Sequence, residues 1–376
     1  MSVFLLVLGI FLFGCLVIIH EFGHFIVARR NGVKVEEFGL GFPPKAITKK
    51  TKSGFVLSLN WIPFGGFVKL KGEHDADTSP GSFGKASLWA KTKIMAAGVG
   101  MNLLAAFVML TILAFVGIPQ LFNNQYTVPS NTKIIRNDVI AGSIQSNSPA
   151  SEAGLKLRDK LVSIGLPGQT PQPITNATTL PSITKEFAGK TVDLKYYEGS
   201  QLTDKAVKLR SQAVVSASQK TSNPVGYLGI SPINYTLQKS TWAAPIVALG
   251  LMKQITVLTL KGIGNALVGL FTANTAKASS QVAGPVGVVV LLKDFSQLGY
   301  QFVLVVIAII SLSLAIINIL PIPALDGGRL FFTLIPRLLL KRPLKQTTED
   351  WIHGAGLAVL FGLLILVTIS DISHIQ

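Results

Sequence analysis

Two histidines and a glutamate stand inside an apolar run, IIHEFGHFIV, residues 18–27. His20-Glu21-Phe22-Gly23-His24 has the form H-E-x-x-H. On a helix, four residues make about one turn, so both imidazoles fall on one side. That spacing can hold one zinc ion, with the glutamate beside it as general base. The plain alternative is two helical histidines that only hydrogen-bond to their neighbours. In an apolar run, ionisable groups are costly to bury and need partners or a metal, which favours the metal.

A catalytic zinc takes three protein ligands and leaves a place for water. The remaining histidines, His74, His353 and His374, stand in no convincing position. Asp326 is the outstanding carboxylate, in INILPIPALDGGRL, residues 317–330, at the end of a later apolar run. By itself Asp326-Gly327-Gly328 reads as a turn. Its depth relative to His20 and His24 makes it the expected third ligand.

That depth follows from the elements that must carry these residues. The chain has 376 residues, 49% hydrophobic and only 14% charged, against about 25% charged for a soluble domain. Four apolar stretches, roughly Val3 to Ala28, Ile94 to Gly117, Gly299 to Pro321 and Gly354 to Ser370, approach the roughly 20 residues that a membrane span requires. The first has no basic residue before its apolar run and no small-residue cleavage site, so it reads as a retained span rather than a signal peptide. Between Ala28 and Lys93 lie 12 Lys/Arg against 5 Asp/Glu, and between Arg329 and Asp350 lie 5 against 2. Basic loops stay in the cytoplasm. This places both loops inside, with both termini and the long segment 118–298 outside. The net charge of +16 is therefore assigned to topology rather than to nucleic acid. The first and third spans then both run inward. H-E-x-x-H comes just before Arg29-Arg30, and Asp326 just before Arg329. A helix starting at Ser2 reaches His20 after about 27 Å of a hydrocarbon layer about 30 Å thick, so the site is expected toward the cytoplasmic leaflet.

Three further stretches have their own character. GFVLSLNWIPFGGFVKLKG, residues 54–72, reads as strands joined by a turn at Pro63 and Gly65-Gly66, too apolar for a free loop. Residues 126–232 are polar with short strand-like runs and have the size of a small domain. Residues 238–272 are apolar, interrupted by Lys253 and Lys261, and are expected as an amphipathic helix on the membrane surface. A fifth span is the competing possibility. The single cysteine, Cys15, excludes an intrachain disulfide.

His20-Glu21-x-x-His24 in a first span, followed by Asn318-x-x-Pro321-x-Pro323-x-Leu325-Asp326-Gly327-Gly328 in a later one, resembles the site-2 protease family of intramembrane zinc metalloproteases. The inserted outer domain resembles the bacterial RseP type. SPASEAGLKLRDKLVSIG, residues 148–165, is similar to a stretch of PDZ domains, with Arg158 in place of the usual glycine. AGVGMN, residues 97–102, resembles the family's A-G-P-x-x-N segment, with Val99 for proline and Asn102 matching. AGPVG, residues 283–287, resembles its G-P-x-G segment.

The resemblance implies an α-helical polytopic membrane protein of four transmembrane helices, with a membrane-associated β-element and an extracytoplasmic PDZ domain. The expected parts are a membrane half 1–117, a PDZ domain 126–232, a surface helix 238–272 and a second membrane half 282–376. It implies Zn2+ held by His20, His24 and Asp326, with Glu21 activating water. It implies contact with substrate by Asn318, by Pro321 and Pro323, which break the helix, and by Phe64, Gly65 and Gly66 of the β-element. The implied activity is cleavage within the span of single-span proteins, such as an anti-sigma factor or a signal-peptide remnant, in a bacterial inner membrane. Membrane lipid surrounds such an enzyme, and its PDZ domain binds a peptide, acts as a size filter against substrates with large outer domains, or is purely structural. The rival outside the family's chemistry is a catalytically inactive PDZ scaffold with a structural zinc, against which Glu21 speaks.

Overall fold

The computed structural model describes residues 2–221, 223–272, 284–339 and 341–375. Residues 282 and 283, where the second membrane half and the AGPVG stretch were expected to begin, lie outside them. The chain forms two compact units. One is Met1–Leu113 with Pro245–Ser296 and Val303–Gln376; the other is Ala114–Ala244 with Gln297–Phe302.

The first unit opens with helix α1, Ser2–Arg30. Up to Ile19 it is apolar on every side, as suits a helix in lipid rather than one half-buried on a soluble core. It stops where Gly32 takes φ +76°. There Val33 N–H donates to Ala28 O and Gly32 N–H to Arg29 O, closing the last turn in a Schellman arrangement. Arg29 and Arg30 stand in that last turn, where cations complement the helix dipole. Strands β1 (Val35–Lys50) and β2 (Val56–Leu70) follow. Each bends into two arms. Glu37–Leu40 lies between Val56–Leu59 on one side and Gly66–Lys69 on the other, and Lys45–Lys50 closes on Val56–Asn60. The arm Gly66–Leu70 is thus an edge of a small sheet.

Helix α2, Leu88–Val116, starts at Ser87, whose Oγ accepts from Ala90 N–H at 3.2 Å. It runs antiparallel to α1, since Ile94 meets His24 and Asn102 meets His20. Gly23 permits the close approach: a Cβ there would come within 2.6 Å of Ala97 O.

The second unit is built on a sheet of strands β3 (Ile118–Pro119), β4 (Lys133–Ile144), β5 (Lys160–Gly165), β6 (Gln172–Pro173), β7 (Thr191–Glu198), β8 (Gln201–Lys208) and β9 (Ile230–Lys239). Its order is β3-β9-β4-β5-β7-β8, with β6 beside β5. Short helices α3 (Pro149–Glu152), α4 (Leu180–Glu186) and α5 (Gln212–Ser218) connect them. Alternation along β7 buries Val192, Leu194 and Tyr196 against Leu161, Ile164, Leu180 and Val207. The sheet reaches beyond both ends of 126–232, because β3 and the far end of β9 pair there.

Back in the first unit, α6 (Ala244–Phe271), α7 (Pro285–Leu298), α8 (Tyr300–Ile319), α9 (Asp326–Leu339) and α10 (Gln346–Ile375) follow. Gly284 and Gly287 open α7 by admitting the Asp371 carboxylate, which accepts from Gly287 N–H at 2.7 Å. α8 runs parallel to α1. A Cβ on Gly9 would touch Val303 at 3.2 Å near the starts of both, and His24 meets Asp326 beyond the end of α8. Among the described residues, five helices are long and apolar enough to cross a membrane: α1, α2, α6, α8 and α10. α6 joins the four expected ones because its 28 residues hold only two charges, Lys253 and Lys261.

Candidate metal centre

α1 presents His20 and His24 on one face, both buried at 8% exposure. α8 ends at Ile319, ahead of Pro321 and Pro323. The chain turns through Ala324 at φ +75° and restarts as α9 at Asp326. Gly327 and Gly328 make the turn possible, since a Cβ at either would strike the carbonyl oxygens of Ile319 or Ile322 within 2.3 Å. The turn brings Asp326 Oδ2 to 2.9 Å from His20 Nε2 and 3.2 Å from His24 Nε2, and the two Nε2 atoms are 3.3 Å apart. Residues separated by 302 positions thereby form one cluster.

The donor set fits a tetrahedral zinc. With metal–ligand distances of about 2.0–2.1 Å, tetrahedral ligands lie about 3.3 Å from one another. A carbonyl can only accept, so His24 Nδ1–H donates to Ile94 O at 2.7 Å and the Nε2 lone pair is left for the cluster. The Asn102 Nδ2 lies 3.2 Å from His20 Nδ1, and the Oδ1 of the same amide has no hydrogen-bond partner among the described residues, so the amide is better read flipped. With that oxygen turned to the ring, Nδ1–H donates to it and His20 also presents Nε2 as a lone pair. Gly98 keeps the space in front open: a Cβ there would stand 2.5 Å from both Nε2 atoms. With both imidazoles neutral, two lone pairs and a carboxylate converge on one point, a donor set that suits a divalent cation.

Glu21 and His24 line a cavity of about 420 Å3 together with Asp326, Arg329 and the strand Phe67–Leu70. Gly66 abuts Glu21, with a hypothetical Cβ 3.3 Å from its Cγ. Gly65 takes φ +81°. Phe67–Leu70, which follow them in sequence, form a wall of the cavity. Asn318, Pro321 and Pro323 are not in that wall. Asn318 is half-buried near the end of α8. Pro323 packs against α10, where Gly356 leaves room for it.

Several positioning residues were not singled out from sequence. His353 Nδ1 accepts from Ala324 N–H at 3.1 Å and so steadies the turn before Asp326. One turn after Asp326, Arg329 donates to Glu73 O and Oε2 at 3.0 and 3.1 Å. Further along α9, Arg337 binds Asp75 at 2.8 Å, and Asp75 also pairs with the fully buried Lys91 of α2. The loop after β2 thus ties the helix carrying Asp326 to α2. A signal existed in the sequence: Glu73 and Asp75 are rare acidic residues amid basic loops.

Residues 8–363 match the family model of peptidase family M50. A protein of Clostridium acetobutylicum is 30% identical over 375 residues, spanning 100% of this chain and 99% of its own length. One of Clostridium perfringens is 29% identical over 370 residues, spanning 98% of each. One of Campylobacter jejuni is 30% identical over 371 residues, spanning 96% of this chain and 91% of its own. Each bears the name "Putative zinc metalloprotease".

Proposed function

Because the chain belongs to peptidase family M50, the site-2 proteases, and is a zinc metalloprotease of the membrane, we propose that it cleaves peptide bonds within the membrane-spanning segment of single-span proteins. The observation that carries this reading is the convergence of His20, His24 and Asp326 beside Glu21 on one cavity.

His20, His24 and Asp326 hold the metal in this reading, with Asn102 and the Ile94 carbonyl orienting the rings. Zinc there supplies Lewis acidity, which acidifies a water and polarises a carbonyl. Glu21 accepts the proton of the attacking water and passes it to the leaving amine. A substrate helix hides its carbonyls in its own hydrogen bonds and must unwind first. The edge strand Gly66–Leu70 offers an unwound segment a pairing surface, as strands do when peptides add to a sheet. Phe64, Gly65 and Gly66, at the start of this stretch, are assigned to the same substrate contact. Asn318 has no hydrogen-bond partner among the described residues, which leaves its amide for the substrate backbone. Pro321 and Pro323 keep the chain unwound beside it.

Four crossings support the placement of the site toward the cytoplasmic leaflet. α1 and α8 run parallel and α2 returns between them, so an even number of crossings separates α2 from α8. α6 alone would break that count. α7, with 14 residues, spans about 21 Å, short of the roughly 30 Å required. This favours α6 on the outer surface of a bacterial inner membrane, with both termini and the second unit outside. The second unit is read as the PDZ domain, with Ser148 capping α3 at 3.1 Å. From Ile230 to Tyr235, β9 pairs on one side only, which leaves an edge for an extended peptide. An inactive scaffold is disfavoured, since a structural zinc has no use for Glu21.

The test is cleavage of a single-span substrate in detergent by wild type and Glu21→Gln at equal zinc content. The variant should lose at least about a thousandfold in rate. Equal rates in both would remove Glu21 from the chemistry.

A further inference from the structure

The second unit holds a cleft of about 520 Å3 whose lining differs in kind from the metal centre. Arg136, Arg158 and Lys160 reach it, and Tyr197 and Tyr235 form walls. Two of the three cations are already matched. Arg136 and Lys160 both bond the Asp138 carboxylate, at 2.6 and 2.7 Å. Burial pushes that carboxyl up, but the hydrogen bonds from Lys160 and Arg136 outweigh it and hold it below its usual value. Asp159, also in the lining, accepts from Lys156 N–H at 2.8 Å. Arg158 is different: among the described residues its guanidinium has no ion pair and no hydrogen bond.

Arg158 also sits at φ +74°, in the left-handed region where glycine is at ease and a side chain is not. The PDZ-like stretch has glycine at this place. Here the chain carries strain in order to present an unpaired cation, and strain held against a simpler residue points to use.

The location narrows the ligand. A Cβ on Gly299 would stand 3.3 Å from Arg158 Nη2, so the guanidinium lies against the residue just before α8. Tyr235 packs its ring 5.4 Å from Phe302, in the first turn of α8. α8 is 20 residues long and apolar enough to span. The end of a span lies at headgroup depth, where tyrosines such as Tyr300 gather. A planar guanidinium is suited to two parallel bonds to phosphate oxygens.

We propose that this cleft binds a phosphate-bearing anion through Arg158, and that its source is the phosphodiester headgroup of an anionic membrane lipid. The inference rests on α8 as a span and not on the protease chemistry.

The experiment is native mass spectrometry of the full chain released from neutral detergent, titrated with phosphatidylglycerol, with phosphatidylcholine and, separately, with inorganic phosphate. Wild type should retain phosphatidylglycerol about tenfold better than phosphatidylcholine, and Arg158→Gly should erase most of that preference. Glycine suits this backbone, so the variant should fold, bind zinc and cleave as wild type does. Arg158→Lys keeps the charge without the fork and should keep part of the preference. A preference unchanged in Arg158→Gly would overturn the site. Arg158-dependent binding of inorganic phosphate without any lipid preference would overturn the lipid as source. Arg158-dependent binding of an acidic peptide, with neither phosphate form bound, would overturn the proposal as a whole.

Discussion

The cavity beside Glu21 and the cleft beside Arg158 differ little in size, about 420 against 520 Å3, and are built for opposite charges. In the first, lone pairs converge: two imidazole nitrogens and a carboxylate within 3.3 Å of one another. Each imidazole's second nitrogen is tied to α2. The groups sit on helices brought close by Gly23 and Gly98. In the second, cations gather on strand ends and a strained turn, and one of them has no counter-ion. A helix places side chains at i and i+4 on one face and fixes them there. Strand ends and turns hold side chains less tightly and can wait for a ligand that arrives from outside.

If that contrast holds, crowding the metal centre should be severe. Gly98→Ala would put a methyl 2.5 Å from both Nε2 atoms. Zinc affinity should fall by about a hundredfold, near the upper end of what a lost supporting contact costs. Metal titration against a competing chelator reads this directly. The fold of the second unit should be untouched, as circular dichroism would report.

A smaller effect should follow from loosening rather than filling. Asn102→Leu removes the acceptor for His20 Nδ1–H, and zinc affinity should drop roughly tenfold. Asn102→Asp keeps an acceptor there and should retain most of the affinity. If both variants bind zinc equally well, the amide does not orient the ring.

The smallest effect belongs to the other cleft. Arg158→Gly relieves a left-handed side chain and should stabilise the second unit by about 1 kcal/mol in thermal unfolding. A destabilised variant would mean that the arginine packs rather than waits.

The two regions also differed in how far they could be read beforehand. His20 and His24 are four apart on one helix, so local geometry alone paired them. Asp326 needed more: the match of depth at two basic boundaries and the likeness to a known family. Asn102 was noticed as a motif match, but its bond to His20 depends on the antiparallel packing of α2 on α1, which no local pattern encodes. The β-element that supplies the wall Phe67–Leu70 was legible as a stretch, but only Phe64 to Gly66 were named in it, because glycines and a proline mark a turn while strand residues look alike. His353 was set aside as poorly placed for a ligand, and it serves the turn before Asp326 instead. α6 reads ambiguously for a physical reason: two lysines in 28 residues are compatible with lipid on all sides or on one. The Arg158 cleft was visible only as a departure from a glycine, since its cations come from separate strands and a turn.

The three-ligand metal centre is tested most directly by the zinc content of Asp326→Ala beside wild type, measured by elemental analysis after equilibration with a graded chelator. One zinc per wild-type chain is expected, and a variant whose affinity is weaker by about a hundredfold or more. Full occupancy in Asp326→Ala at the same chelator strength would contradict it, because the metal would then be held by α1 without the helix that the turn at Asp326 brings to it.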